Sequence, residues 1–254
     1  MTFTVDQSSG CEPLLVNFSN SSSGSVSCFW DFGSEGTSTD CVGPSISYSV
    51  GSYDVSLTIT DANGCVNTLD SLNMINSYAY PNADFTFGPQ PTTVLNADIE
   101  FTNLSSGGAN YNWDFSGLDQ STSFEGSFTF PDTGVYVVEL LVTSLDGCSD
   151  SISYPLVIGP ELIVYTPNAF TPDGDTRNDV FMPSVLGYVP SSYQFMVFNR
   201  WGEVIFQSQH ANVGWDGTVN GVQAPNDVYV WKLSLRSEAT NLDYSYKGHV
   251  TLVR

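Results

Sequence analysis

The sequence predicts an all-β chain built from two tandem immunoglobulin-like β-sandwiches and a C-terminal β-sandwich. Three observations carry that expectation. A set of residues recurs at one fixed offset, which signals two copies of one unit. Apolar and polar residues alternate in short runs that end in turn dipeptides. The composition is rich in Ser, Thr, Gly, Val, Tyr and Phe, as strands prefer. A length of 254 residues leaves room for three small domains, each with a modest core.

The repeat comes first. Trp30-Asp31-Phe32 returns as Trp113-Asp114-Phe115, Gly51-Ser52-Tyr53 as Gly134-Val135-Tyr136, and Asn63-Gly64-Cys65 as Asp146-Gly147-Cys148, each 83 residues on. Phe18 and Phe101 obey the same offset. In one copy Tyr53, Val55, Leu57 and Ile59 share a strand face, and in the other Tyr136, Val138, Leu140 and Val142 do. Each of these runs closes on Asn-Gly or Asp-Gly, a strong hairpin signal. Trp30 and Trp113 are the expected anchors of the two cores.

The "WDFG" of residues 30–33 with the "GSYDVSLTITDANGC" of residues 51–65, and "WDFS" with "GVYVVELLVTSLDGC" in the second copy, resemble the PKD domain. That resemblance implies sandwiches of seven strands in two sheets over residues 1–78 and 79–159. It also implies modules that act as spacers and stalks. The Asp of each "WDF" is expected to shape the turn after its strand, because buried polar groups normally serve hydrogen bonds.

Four cysteines fall in the first copy, so three pairings are open. Cys28 and Cys41 map onto Tyr111 and Phe124, both turning aromatic together, as expected of a contacting pair. Cys11 maps onto Val94, and Cys65 onto Cys148. The expected bridges are therefore Cys28–Cys41 and Cys11–Cys65, with Cys148 left as a buried inert thiol or as an intermolecular bridge. Paired thiols argue for export, and zinc is disfavoured because the spacings do not match and no His lies near.

After residue 159 the repeat ends, cysteines vanish and basic residues appear. Strand-like runs follow over Tyr193 to Asn199, Glu203 to Ser208, Val228 to Leu235 and Tyr246 to Val253, with turn chemistry at Trp215-Asp216-Gly217 and residues 224–227. The ordered motifs "PNAFTPDGDTRNDVF", "FNRWGEVIF", "GWDGTVNG", "APNDVYVWKL" and "KGHVTLVR" resemble the gliding-motility-associated C-terminal domain, over residues 160–254. That family is the type B sorting signal of the type IX secretion system of Bacteroidota. The resemblance implies export across the outer membrane, cell-surface attachment, and a PorP/SprF-type outer-membrane partner alongside the secretion machinery. It also implies the company of PKD repeats, as in large adhesins of gliding bacteria. Met1 leads directly into strand-like sequence without a leader, so the chain is expected to be the C-terminal part of a longer exported protein.

Candidate site residues follow from these segments. The strand from Gly248, preceded by Lys247 and ending at Arg254, can add to a partner's sheet edge. Arg200 beside Trp201 can stack and reach a carboxylate, either a partner's or its own domain's Asp216 or Asp227. Asp173, Asp175 and Asp179 alternate in a Gly-containing loop, as calcium ligands or as a hydrogen-bonded turn. Calcium is the cofactor candidate.

Charge limits the partners. The net charge is −21, residues 1–159 hold 18 acids and no base, and all six Lys and Arg lie after residue 176. Such a surface repels phosphate backbones and anionic bilayers, which argues against nucleic acid and against direct membrane insertion. Only His210 and His249 occur, in no catalytic or metal pattern, and no phosphate-binding glycine loop appears. The expectation is a non-enzyme. The competing class is an accessory carbohydrate-binding or spacer module of a secreted polysaccharide-degrading enzyme, which needs an exposed aromatic row; Trp201, Trp215 and Trp231 are the candidates, and turn and core roles explain them as well.

Overall fold

The computed structural model describes residues 1–254. The first copy contains β1 (Phe3–Val5), β2 (Ser9–Cys11), β3 (Leu14–Asn20), β4 (Ser25–Asp31), β5 (Thr37–Ser38), β6 (Ser45–Tyr48), β7 (Gly51–Asp61) and β8 (Val66–Tyr78). The second contains β9 (Phe85–Gly88), β10 (Thr92–Thr93), β11 (Asp98–Asn103), β12 (Asn110–Phe115), β13 (Gln120–Ser121), β14 (Gly126–Thr129), β15 (Gly134–Thr143) and β16 (Ser149–Gly159). Each copy pairs a three-stranded sheet with a five-stranded one. The orders are β1-β3-β6 with β2-β8-β7-β4-β5, and β14-β11-β9 with β10-β16-β15-β12-β13.

The alternation in the sequence is what these sheets require. Tyr53, Val55 and Leu57 point inward from β7, and Val138, Leu140 and Val142 from β15. The tryptophans close the cores. Trp30 stacks on Phe32 at 5.8 Å, and Trp113 on Phe115 at 6.4 Å. Each indole N–H, buried and needing an acceptor, donates to a backbone carbonyl, Asp40 at 2.9 Å and its counterpart Ser123 at 3.0 Å. Asn20 and Asn103 donate their amides to the carbonyls of Cys41 and Phe124, both at 3.0 Å. The Asp of each "WDF" accepts a glycine N–H in the following turn, Gly33 at 2.9 Å and Gly117 at 2.6 Å.

The C-terminal region contains β17 (Ile163–Tyr165), β18 (Ala169–Phe170), β19 (Ser184–Leu186), β20 (Gln194–Phe198), β21 (Val204–Ser208), β22 (Thr218–Val219), β23 (Val222–Gln223), β24 (Asp227–Arg236) and β25 (Asp243–Leu252). Its five-stranded sheet runs β18-β25-β24-β20-β21. The opposing layer is mostly loop, held by the two small ladders β17-β19 and β22-β23 and by a bridge from Phe181 to Trp215. Between them lies a core of its own, including Phe170, Phe181, Phe195, Trp215, Leu233 and Val250. The chain as a whole divides into two compact units, one of Met1–Thr86, Phe101–Gly126 and Val138–Tyr154, the other of Phe87–Glu100, Ser127–Val137 and Pro155–Arg254.

One cysteine pairing differs from the expectation. Cys28 bonds Cys41, with Cα atoms 5.2 Å apart. Cys11, however, bonds Cys148 in the second copy, not Cys65, and Cys65 is an exposed free thiol. The reason is the length of β8. Cys11 sits beside Tyr78 at its end, whereas Cys65 precedes its first residue. Thirteen extended residues separate the two by roughly 40 Å, far beyond the ~7 Å that a disulfide can span. Cys148 is accordingly a bonded cysteine and not an inert thiol.

Candidate docking site on the C-terminal sheet

The turn after β20 is tightly built. The Asn199 side chain accepts the N–H groups of Trp201 and Glu203, both at 3.0 Å, and its own amide donates to the Glu203 carboxylate at 2.6 Å. This frame presents Arg200 and Trp201 outward. Trp201 is 78% exposed, in contrast to Trp215 and Trp231, which are buried in the core. The three tryptophans do not form the exposed row that a carbohydrate-binding module would need, because Trp215 and Trp231 support the core instead. The Arg200 guanidinium stands 5.3 Å from the centre of the Trp201 ring and pairs with Asp227. Asp227 is held below the ordinary carboxylate range, first by the Val228 N–H and then by Arg200. Together with Ile205, Pro225 and Tyr229 these residues line a cleft of about 260 Å³. Burial raises the Tyr229 phenol, whose hydroxyl donates to the Pro225 carbonyl at 2.8 Å.

Arg254 and Gly248 have internal tasks that the sequence did not reveal. Arg254 donates to the carbonyls of Ala224 at 2.5 Å and Gly217 at 2.8 Å, tying the chain end to the loops on either side of β22 and β23. Gly248 lies opposite Trp231, and a Cβ there would stand 2.6 Å from the indole ring. The glycine makes room for the tryptophan.

Lys247 is placed differently. Lys232 and Lys247 are direct cross-strand partners on the exposed face of β24 and β25, next to the Val230–His249 pair. Like charges directly opposite each other destabilise a sheet. Two of the other bases are neutralised within the region, Arg200 by Asp227 and Arg236 by Asp243 at 2.8 Å, but the lysine pair forms no ion pair. Beside it, β18 covers β25 only at Thr251 and Leu252, so Asp243 to His249 have no strand on their outer side. Open edges of this kind accept added strands.

Asp173, Asp175 and Asp179 come together, with a carboxylate oxygen of each within 4.8 Å of the others. Gly174 and Thr176 donate to the two oxygens of Asp179, both at 2.7 Å, Asp175 donates to Asp173 at 3.1 Å, and Arg177 to Asp175 at 2.8 Å. The loop is complete as a hydrogen-bonded turn, and a hard cation would use the oxygen lone pairs that these bonds leave over.

Comparison with known proteins places this region. Residues 164–252 match the CHU_C type IX secretion signal domain. No curated protein matches the chain. Among solved structures, the chain is similar to the PKD1 domain of Vibrio anguillarum Epp, at 22% identity, with 32% of this chain and 96% of that one covered and a TM-score of 0.29. It is also similar to the PKD1 domain of the Vibrio cholerae metalloprotease PrtV, at 26% identity over 31% of this chain and 96% of that one, with a TM-score of 0.28. A third similarity is to fibronectin(III)-like modules of Clostridium thermocellum CbhA, at 14% identity over 62% and 94%, with a TM-score of 0.36. The chain is an all-β array of two repeated β-sandwiches followed by a domain that matches the type IX secretion signal, which marks a secreted protein.

Proposed function

We propose that this chain is the C-terminal part of a large surface-attached adhesin of the gliding or adhesion apparatus, with modules at 1–78, 79–159 and 160–254. The two PKD-like modules act as a stalk. The last module directs type IX export and then holds the protein to an outer-membrane partner of the PorP/SprF type. We assign the chain no enzymatic step. The observation that carries the docking role is the uncompensated Lys232–Lys247 pair beside the open edge of β25. A partner strand that brings carboxylates would pair with the edge and neutralise both lysines at once. Arg200 and Trp201, at the turn that follows β20, offer a stacking surface whose charge Asp227 already balances. No helix of the chain is long and apolar enough to cross a membrane.

Lys247→Glu separates docking from folding. It would place opposite charges across the strands and leave the fold as stable or a few tenths of a kcal/mol more stable. Chemical cross-linking on native cells, followed by recovery of the chain, is expected to bring down an outer-membrane protein with the wild type and to lose it with Lys247→Glu. Equal recovery with both chains would contradict the docking reading.

A further inference from the structure

Cys65 and Cys148 leave the same kind of turn. In the first copy Asp61 N–H donates to the Cys65 carbonyl at 3.0 Å, Gly64 N–H to the Asp61 carbonyl at 3.0 Å, and Cys65 N–H to the Asp61 carboxylate at 2.9 Å. In the second, Ser144 N–H donates to the Cys148 carbonyl at 2.8 Å, Gly147 N–H to the Ser144 carbonyl at 3.2 Å, and Cys148 N–H to the Ser144 hydroxyl at 3.1 Å. Gly64 and Gly147 share the left-handed conformation that the turn demands, with φ of +84° and +87°. Two equivalent sulfurs thus leave equivalent positions.

Their states differ. Cys148 is buried and bonded to Cys11 of the copy before it, with Cα atoms 5.7 Å apart. Around that bond the junction is tied further by the Ala83 N–H, which donates to the Asp150 carboxylate at 2.8 Å. Cys65 is exposed and free. The bond is therefore head to tail: the tip of one copy joins the strand of the preceding copy that lies parallel to its last strand. That strand is β2, beside the end of β8. Its counterpart β10 lies beside the end of β16 in the same parallel way, and the residue at the place of Cys11 is Val94. The segment after the second copy holds no cysteine, so the missing thiol there matches the missing partner.

We propose that Cys65 is a cross-linking site for a preceding copy of this module that carries a cysteine at the Cys11 position, so that disulfides staple successive stalk modules head to tail. The inference rests on the stalk reading and deepens it. The Cys65 thiolate attacks a disulfide oxidant such as oxidised glutathione and releases one thiol, and the partner thiolate then displaces the second. Two cysteine thiols are oxidised, one oxidant disulfide is reduced, and the two protons leave on the released thiols.

The test places a second copy of residues 1–83 ahead of the full chain. The added copy carries Ser8→Thr as a mass mark and Cys65→Ser to remove its own unpaired thiol. After refolding in a glutathione redox buffer, peptides are mapped without reduction. The expected map joins the marked Cys11 peptide to the Cys65 peptide, in a monomer with no alkylatable thiol. In a companion chain whose added copy also carries Cys11→Ser, Cys65 should return as a single alkylatable thiol. The proposal is overturned if Cys65 and the marked Cys11 both remain free while Cys28–Cys41 and Cys11–Cys148 form. A Cys65–Cys65 dimer, or loss of the Cys65 thiol in the companion chain, overturns it equally. The readout is a bond map and not adhesion or export, so its failure leaves the stalk and sorting reading standing.

Discussion

The first and second copies hold the same corner of the same scaffold with different chemistry. In the first, Cys28 and Cys41 are covalently joined. In the second the equivalent Tyr111 and Phe124 meet edge to face, with ring centres 5.0 Å apart. Both corners keep the same asparagine, Asn20 or Asn103, bonded to the same carbonyl. The comparison teaches that the contact between these two positions is what the module requires, and that a disulfide and an aromatic pair are two ways to supply it. A covalent link acts mainly on the unfolded chain, whereas an aromatic pair acts through burial and ring geometry in the folded one.

The shared parts should respond alike. Trp30→Ala and Trp113→Ala each empty the centre of a core in which the indole is fully buried. Each is expected to cost about 3–5 kcal/mol, read as loss of the corresponding unfolding transition in urea. A large difference between the two would break the equivalence of the copies. The corner itself should respond unequally. Replacing Cys28 and Cys41 together by Ser opens a short loop and is expected to cost about 2–3 kcal/mol. Tyr111→Ala, at a half-exposed contact, should cost about 1 kcal/mol. Installing Tyr111→Cys with Phe124→Cys should form a bond under mild oxidation, detected as the loss of both thiols. Failure to form it would mean that the two corners differ in backbone and not only in side chain.

Asn20→Ala and Asn103→Ala come next in size. Each leaves a carbonyl and turn amides without their partner, for about 1–2 kcal/mol, again by denaturant unfolding. The smallest effect is a pH difference between the two cysteine turns. Asp61 is held below the usual carboxylate range because the Cys65 and Asn63 N–H groups donate to it. A lowered folded-state value stabilises above the unfolded value and is lost as pH falls through the folded one. Ser144 does the same task with a hydroxyl that does not titrate. Amide exchange at Cys65 should therefore gain relative to exchange at Cys148 as pH falls below about 4. A constant ratio across that range would contradict the role given to Asp61.

Much of this was readable because it repeats. The 83-residue offset and the alternation of Tyr53, Val55 and Leu57 specify two sandwiches without any coordinates. Coupled replacement of Cys28 and Cys41 by Tyr111 and Phe124 pointed to a contact for the same reason. The Cys11 bond is not legible in the sequence because spacing does not say at which end of a 13-residue strand a residue stands, and because its partner belongs to another copy. The C-terminal region was legible through its ordered motifs, but its second layer is mainly loop, which has no periodicity to read. The roles of Gly248 and Arg254 were hidden for a related reason. One yields space to Trp231 and the other reaches backbone carbonyls, and neither relation leaves a trace in residue spacing.

The most direct measurement joins residues 160–254 to a soluble reporter bearing a leader for the inner membrane, in a host with a working type IX system. Added protease, applied to whole cells, then reports where the reporter stands. The account predicts a reporter digested at the cell surface, and one retained inside when the type IX system is disabled. A reporter protected in the periplasm of the competent host would contradict it.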